Sequence, residues 1–355
     1  GRGEIVGEMG ALTGEPRSAD VLAARDSEVI HIPQDLLMEV AASAPELLLR
    51  INRDLVTRLR NTTAGVTTAP RASTYAIVAT SPDAPLREVA RRLTEAMQGI
   101  GSTIQITRSE VERRSNPEAG DGLPVFNDPQ LIAWLGEQES SHRYVLYEAD
   151  AELTPWTRRC IRQADRVLLV ANAGADPSPG AIDEEISIAG SRPDIELLLV
   201  HPESTERPTG TVRWLKQRAL QAHHHLRLGD DAQIRHVARL ITGTALGLAF
   251  GGGGARGAAH LGIVQALSER GIEVDLLGGT SMGALMGGRL ATGLTAAEVT
   301  ERLTDVVANQ GILDWTLPIV GVTSGASVNS ILVGEFASLR IEDLWRPFFC
   351  VSTNL

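Results

Sequence analysis

Lysine is nearly absent from this chain of 355 residues: Lys216 is the sole lysine among 33 basic side chains. Arginine supplies the rest of the basic residues, so the shortage is read as codon bias and not as chemistry. Cysteine is scarce as well. Cys160 and Cys350 stand alone, which excludes a disulfide framework and points to a reducing cytosol. No apolar run approaches the roughly 18 residues that cross a bilayer, and no secretory leader is legible. The expected place is therefore the cytoplasm, or the cytoplasmic face of a membrane held peripherally. Positive charge is in deficit too. A net charge of −11 and a pI near 5.3 speak against nucleic acid as a partner, since such binding runs on neutralising phosphates. Neither an initiator methionine nor an internal repeat is present. At this length two or three domains are expected.

Glycine, by contrast, is plentiful, and two glycine signals near the C-terminus carry the chemistry. Gly251-Gly252-Gly253-Gly254-Ala255-Arg256-Gly257 follows the apolar run Leu246–Phe250. Gly279-Thr280-Ser281-Met282-Gly283 closes a second run, Val274–Leu277. G-x-S-x-G at a strand-to-helix turn is a nucleophile elbow. Its backbone is strained, and side chains two residues either side of the serine would clash. Gly279 and Gly283 remove that clash and lift the Ser281 hydroxyl clear of the sheet. The upstream glycines can turn N–H groups toward the anion that forms when a serine attacks an ester. Ser281 is thus the expected nucleophile, and Gly251, Gly252, Gly253, Gly254, Arg256 and Gly257 the expected oxyanion loop. A competing reading exists. Gly252, Gly254 and Gly257 also spell G-x-G-x-x-G, with Glu273 or Asp275 at the distance of a ribose-binding acid. That acid belongs at the C-terminal end of the second strand. Asp275 falls near its start, and the C-terminal end holds the serine, so the hydrolase reading is preferred.

Three segments and a linker are legible, at 1–61, 62–74, 75–228 and 229–355. In the first, Val21–Ala23 and Val29–Ile32 read as strands, Leu36–Val40 opens a helix, and Leu48, Ile51, Leu55 and Leu59 recur at helical spacing. The stretch after Asn61 is rich in Thr, Ala, Gly and Pro, as a linker is. The second segment alternates strands at Tyr75–Thr80, Thr103–Thr107, Tyr144–Tyr147, Arg166–Ala171 and Glu196–Val200 with helices at Leu86–Met97, Pro129–Gln138 and Pro155–Ala164. That alternation predicts an α/β domain with a mainly parallel sheet. The third segment reads as helix Asp231–Ile241, strand, glycine loop, helix Ala258–Arg270, strand, elbow, helices Met282–Thr292 and Thr295–Asn309, and a final strand from Phe348 to Ser352.

The third segment resembles the patatin-like phospholipases, and within them the neuropathy target esterase group. The run Gly251–His260 followed by Gly278-Gly279-Thr280-Ser281-Met282-Gly283 carries the likeness. The middle segment is similar to that group's middle region at Thr154–Asp165 and Ala222-His223-His224-His225. The first resembles the C-terminal half of a cyclic-nucleotide-binding barrel with its helix, with a phosphate cassette running from Gly7 to Ala19. The resemblance implies a multi-domain chain: a partial β-barrel, an α/β middle domain and an incomplete α/β patatin-like hydrolase domain. It implies a serine hydrolase of phospholipid or lysophospholipid esters with a Ser-Asp dyad, no histidine base, no metal and no cofactor. The family's aspartate stands in an Asp-Gly-Gly or Asp-Gly-Ala motif. After Ser281 come Asp305, Asp314 and Asp343, none of which precedes a glycine. The chain is accordingly expected to be a fragment, truncated at both ends and inactive as it stands. In the cassette, Gly7, Glu8, Arg17 and Ser18 match contacts to a cyclic nucleotide, an expected regulator of the full-length protein. Half a barrel does not close around a ligand, so no binding is expected in this chain.

Three further readings are weighed. His260 is expected to be a helix-face histidine and not a base. Adjacent histidines on an extended stretch point to opposite faces, so His223, His224 and His225 are expected to be structural. The middle segment lacks G-x-x-x-x-G-K-[ST] and is expected to be a scaffold without nucleotide turnover. The final strand offers an edge for pairing, which predicts a homo-oligomer. The alternative for the whole chain is a nonenzymatic interaction module on a decayed patatin scaffold; the intact elbow and glycine loop oppose it.

Overall fold

A computed structural model describes residues 5–7, 10–11, 14, 29–44, 46, 53, 73–114, 129–188, 193–309, 326–336 and 339–352. They fall into two compact units, one of residues 1–82, 101–168 and 180–194, the other of 83–100, 169–179 and 195–355. A helix at Gln34–Ser43 precedes six strands: β1 (Ser73–Ala79), β2 (Thr103–Ile106), β3 (Tyr144–Glu148), β4 (Arg166–Asn172), β5 (Asp194–His201) and β6 (Ala222–Arg227). Their order along the sheet is β2-β3-β1-β4-β5-β6. The pairs β1 with β3, β2 with β3 and β5 with β6 are parallel. Every residue of β1 from Thr74 onward is buried, and so is Val167–Ala171 of β4. Burial on both faces is why these strands read as continuous apolar runs and not as alternation.

The intervening helices follow from local rules. Leu86–Gln98 buries Leu86, Val89, Ala90, Leu93 and Met97 on one stripe, while Arg91 pairs with Glu88 and Glu95 on the other. Pro155–Gln163 starts with a proline at a position that needs no N–H, and the Thr154 hydroxyl accepts from the Thr157 amide at 3.2 Å. Burial pushes the Cys160 thiol well up, so that cysteine packs as an apolar group.

The second sheet has the order β7-β8-β9, from Gly247–Phe250, Leu276–Thr280 and Phe348–Val351, all parallel. Helix Asp231–Ile241 leads into it, capped by Asp230, whose carboxylate accepts from the Ala232 and Gln233 amides at 3.1 Å each. Phe250, Leu261, Val274, Leu277, Met286, Leu290, Ala291, Val299 and Leu344 form its core. Phe349 and Val351 on β9 are exposed.

Several expectations need correction. Val29–Ile32 is not a strand; Val29 and Ile30 are 79% and 88% exposed. Apolar β-branched residues favour a strand only where a ladder partner and a packed face exist, and neither is found among the described residues. β1 takes in Ser73 and Thr74, which the sequence places in the linker. A sixth strand, Ala222–Arg227, joins the first sheet, and helices Arg108–Arg114, Ala181–Ile188 and Thr211–Leu215 add to the expected set. The expected strand Val21–Ala23 lies outside the described residues, as does most of Pro45–Leu59.

Candidate active site

β7 and β8 run side by side in a register that pairs Phe250 with Gly279. The residues that follow each strand therefore emerge together at one edge. On β7 that is the glycine loop from Gly251, and on β8 it is Ser281. Ser281 has φ 51° and ψ −126° and is the only non-glycine residue of positive φ among the described residues. Strain of this kind costs about 1–3 kcal/mol and persists only where the surroundings impose it. They do so here through the two elbow glycines. A Cβ on Gly279 would lie 2.5 Å from the Gly283 carbonyl carbon and 2.7 Å from the Ala284 nitrogen. One on Gly283 would lie 2.6 Å from the Gly251 oxygen and overlap the Phe250 carbonyl. The elbow thus packs helix Met282–Ala291 directly onto the end of β7, and Ser281 is left exposed at the top.

The glycine loop lies against that serine. A Cβ on Gly252 would meet the Ser281 Cβ at 3.2 Å and its Oγ at 3.8 Å. No acceptor for the Gly252 or Gly253 amide is found among the described residues. The Met282 amide opens the first turn of the helix behind Ser281 and likewise has no intrahelical partner. Free N–H groups beside a nucleophile, at the positive end of a helix, are what a developing oxyanion requires. Gly257 is buried against Met282, whose Cβ would lie 3.0 Å from an added methyl. Arg256 is exposed in the turn Gly254–Ala258, its amide bonded to the Gly253 oxygen at 3.2 Å.

Gly254 has φ 54° and Gly253 φ 157°, both costly for an L side chain. Added Cβ atoms there meet nothing closer than the Arg256 Cβ at 3.6 Å. Gly254→Ala is therefore expected to leave the fold intact while rotating the loop, lowering kcat about 10- to 100-fold in the full-length protein. Unchanged ester kinetics in both Gly253→Ala and Gly254→Ala would place the oxyanion donors elsewhere.

No hydrogen bond to the Ser281 hydroxyl is found among the described residues. His260 turns elsewhere: its Nε2 donates to the Gly251 oxygen at 3.0 Å, and its ring lies 5.1 Å from Phe250. Asp305 is exposed on helix Ala296–Asn309. Asp314 lies outside the described residues. Asp343 is buried and accepts from the Thr211 amide at 3.0 Å, in a turn whose chain enters β9 from the edge opposite Ser281. Of the nucleotide cassette, Gly7 takes φ 83°, and Glu8, Arg17 and Ser18 lie outside the described residues.

The opposite edge of the sheet holds residues whose role the sequence did not disclose. Asp275, fully buried just before β8, accepts from His236 Nδ1 at 2.8 Å, from Arg239 Nε and Nη2 at 3.0 and 2.7 Å, and from the Leu246 amide at 3.0 Å. Burial alone would raise this carboxyl; the hydrogen bonds from His236 and Arg239 outweigh it and hold Asp275 well below its ordinary value. It is an anchor for helix Asp231–Ile241, not a ribose ligand. The histidine run serves a similar end. His224 pairs with Glu196 at 2.7 Å on one face of β6, while His223 and His225 on the other both donate to the Glu342 carbonyl, at 3.0 and 2.9 Å. His201 Nε2 lies 2.9 Å from His225 Nδ1. Because His225 already donates from Nε2, its Nδ1 accepts in the neutral ring and His201 donates. Trp345 closes the cluster, donating to the Glu206 carbonyl at 2.9 Å with Arg227 stacked 4.6 Å above it. Among the described residues, no group of three or more His, Cys, Asp or Glu is arranged to hold a metal.

The turn after β1 reads Thr80-Ser81-Pro82-Asp83-Ala84-Pro85. Two prolines remove amide donors and an aspartate adds negative charge, the reverse of a phosphate cradle. Asn172 holds this turn by donating to the Asp83 carbonyl and carboxylate at 3.1 Å. No helix among the described residues is long and apolar enough to cross a membrane.

Comparison with known proteins gives three domain matches in chain order. Residues 1–44 match the cyclic nucleotide-binding domain, 71–245 the Neuropathy Target Esterase family P-loop like domain, and 248–354 the patatin-like phospholipase domain. The whole chain is 34% identical to the mouse patatin-like phospholipase domain-containing protein 7, 31% to the human domain-containing protein 6, and 32% to the neuropathy target esterase sws of Drosophila mojavensis. It spans only 30%, 29% and 27% of those proteins. With three domains in this order and similarity running through all of them, the chain is similar along its whole length to the neuropathy target esterase group of the patatin-like phospholipases.

Proposed function

We propose that the protein is a serine hydrolase of phospholipid or lysophospholipid esters, working at a membrane surface. The observation that carries this reading is the strained, exposed Ser281 set against the Gly252 and Gly253 amides, which have no acceptor among the described residues, at a helix N-terminus. The Ser281 hydroxyl attacks the ester carbonyl, its proton passes to a carboxylate, and the tetrahedral oxyanion is held by the Gly252, Gly253 and Met282 N–H groups. The alkoxide leaving group takes the proton back, and water repeats the sequence to free the fatty acid. Such a route needs neither metal nor cofactor. The base is an aspartate in an Asp-Gly context, as the family resemblance implies, and none of Asp305, Asp314 or Asp343 has that context.

The test compares this chain of 355 residues with the full-length protein on p-nitrophenyl esters and a lysophospholipid. A serine without a base is a weak nucleophile at neutral pH, so the chain alone should turn over at least about 100-fold more slowly. Activity within about tenfold of the full-length protein, lost in Ser281→Ala, would assign the base to a residue of this chain and overturn the dyad.

A further inference from the structure

The glycine loop has an orientation problem. The four consecutive glycines Gly251–Gly254 have the widest conformational freedom of any tetrapeptide, yet an oxyanion donor is effective only when its N–H is aimed before the reaction. An added Cβ on Gly251 or Gly254 would have no neighbour within 4 Å, and one on Gly252 or Gly253 would come no closer than 3.2 Å to Ser281 or 3.6 Å to Arg256, so side-chain packing constrains the loop only where it passes the serine. Among the described residues, a single side chain makes a hydrogen bond to the Gly251–Gly254 backbone, and it is His260.

We propose that His260 is the positioning residue of the oxyanion hole. A carbonyl only accepts, so the 3.0 Å contact requires a proton on His260 Nε2 donated to the Gly251 oxygen. The imidazole is held from its other side by Phe250, centroid to centroid 5.1 Å, and Phe250 is itself buried in the core. The same Gly251 oxygen sits 2.6 Å from the point where a Gly283 side chain would begin. It therefore points down into the fold, between the start of helix Ala259–Glu269 and the elbow. The peptide that joins Gly251 to Gly252 is planar and trans, so its N–H points opposite to its C=O. Fixing the carbonyl downward turns the Gly252 N–H upward. Gly252 is the loop residue that lies against Ser281, 3.8 Å from Oγ to its Cβ position. His260 thus aims the donor nearest the nucleophile without touching substrate or taking the serine proton. Its Nε2 proton is committed to the Gly251 carbonyl, on the peptide whose N–H receives the negative charge.

The inference rests on the hydrolase reading above. Its test uses the full-length protein with His260→Phe, which keeps a ring on Phe250 and loses the donor, and His260→Gln, which keeps a donor of similar reach. The donor amide remains in the Phe variant and loses only its aim. Its kcat should therefore fall about 10- to 100-fold, short of the roughly 100- to 1000-fold of a deleted donor, with KM within about twofold. His260→Gln should recover to within about fivefold of wild type on the same reasoning. Affinity for a trifluoromethyl ketone analogue of the ester should track kcat/KM across the three proteins, because it samples the oxyanion hole. Both variants should melt with the wild type. An unchanged kcat in the Phe variant, a rise in KM in its place, or a Gln variant as impaired as Phe would overturn the proposal. Turnover that survives Ser281→Ala in the wild-type background would overturn the hydrolase reading and this inference with it. Ser281-dependent turnover indifferent to His260→Phe overturns this inference alone.

Discussion

Ser281→Ala should abolish ester hydrolysis in the full-length protein and abolish labelling by a fluorophosphonate probe. The expected loss in kcat/KM is about 10⁴-fold or more, which is about 5 kcal/mol of transition-state stabilisation. The elbow makes this an unusually clean experiment. Ser281 holds φ 51° because Gly279, Gly283 and the end of β7 leave the chain no other course. Alanine at that position meets the same backbone cost as serine, so the variant should fold and melt like wild type, and the lost activity reports the hydroxyl alone. Thr280 is exposed beside it but lies on β8 before the turn, with its hydroxyl 3.4 Å from the Val351 carbonyl. It is not placed to substitute. Residual Ser281-independent labelling at the wild-type rate would move the nucleophile elsewhere and leave the glycine loop without a purpose.

The geometry of the edge that carries Ser281 was readable because its constraints are local. An elbow places glycines at fixed offsets from its serine, and the apolar runs before Gly251 and Gly279 mark the two strands whose register brings them together. The central strands of the first sheet were readable for the same kind of reason: runs such as Val167–Ala171 have no polar residue to interrupt them. β6 escaped because Ala222-His223-His224-His225-Leu226-Arg227 looks polar. His224 and His225 are buried and His223 half-buried, all through partners far away in sequence, Glu196 on β5 and the Glu342 carbonyl 117 to 119 residues downstream. Nothing in the run itself announces those partners. Val29–Ile32 failed in the opposite direction: it has strand composition and no ladder among the described residues. Asp275 was expected near the start of its strand, and it lies one residue before β8. What it does there depends on His236, Arg239 and Leu246, brought to it by a helix that precedes β7. His260 was expected to be a helix-face histidine; its carbonyl partner is a feature of the backbone path, and that path is invisible in a string of glycines.

Those distant partners give the second large effect. Asp275→Asn should destabilise the unit that contains β7–β9 by about 3 kcal/mol. That is the low end for breaking a buried ion pair, because Arg239 keeps 22% of its side chain in water while Asp275 keeps none. The amide retains the shape but cannot satisfy the guanidinium, His236 and the Leu246 amide as an anion does. The pH dependence separates this anchor from the histidine cluster. Asp275 is held below its ordinary value in the folded state. Its contribution is therefore complete above the unfolded pKa of about 3.9 and is lost as pH falls through the folded value. Burial lowers His201 to about 4 and His225 to about 3. Both bind protons more readily unfolded, near 6.5, so the stability they confer is complete above that pH and drains away as the medium is acidified toward 4. Acid titration of the wild type should show two stages: a decline starting near pH 6.5 from the histidines, and a second below about 4 from Asp275. Asp275→Asn should remove the second stage and keep the first, with its penalty against wild type largest at pH 7 and shrinking in acid. Denaturant unfolding at pH 7, 5 and 3 measures it. A penalty that stays constant across those values would mean that the Asp275 carboxylate does not carry its charge into the folded core.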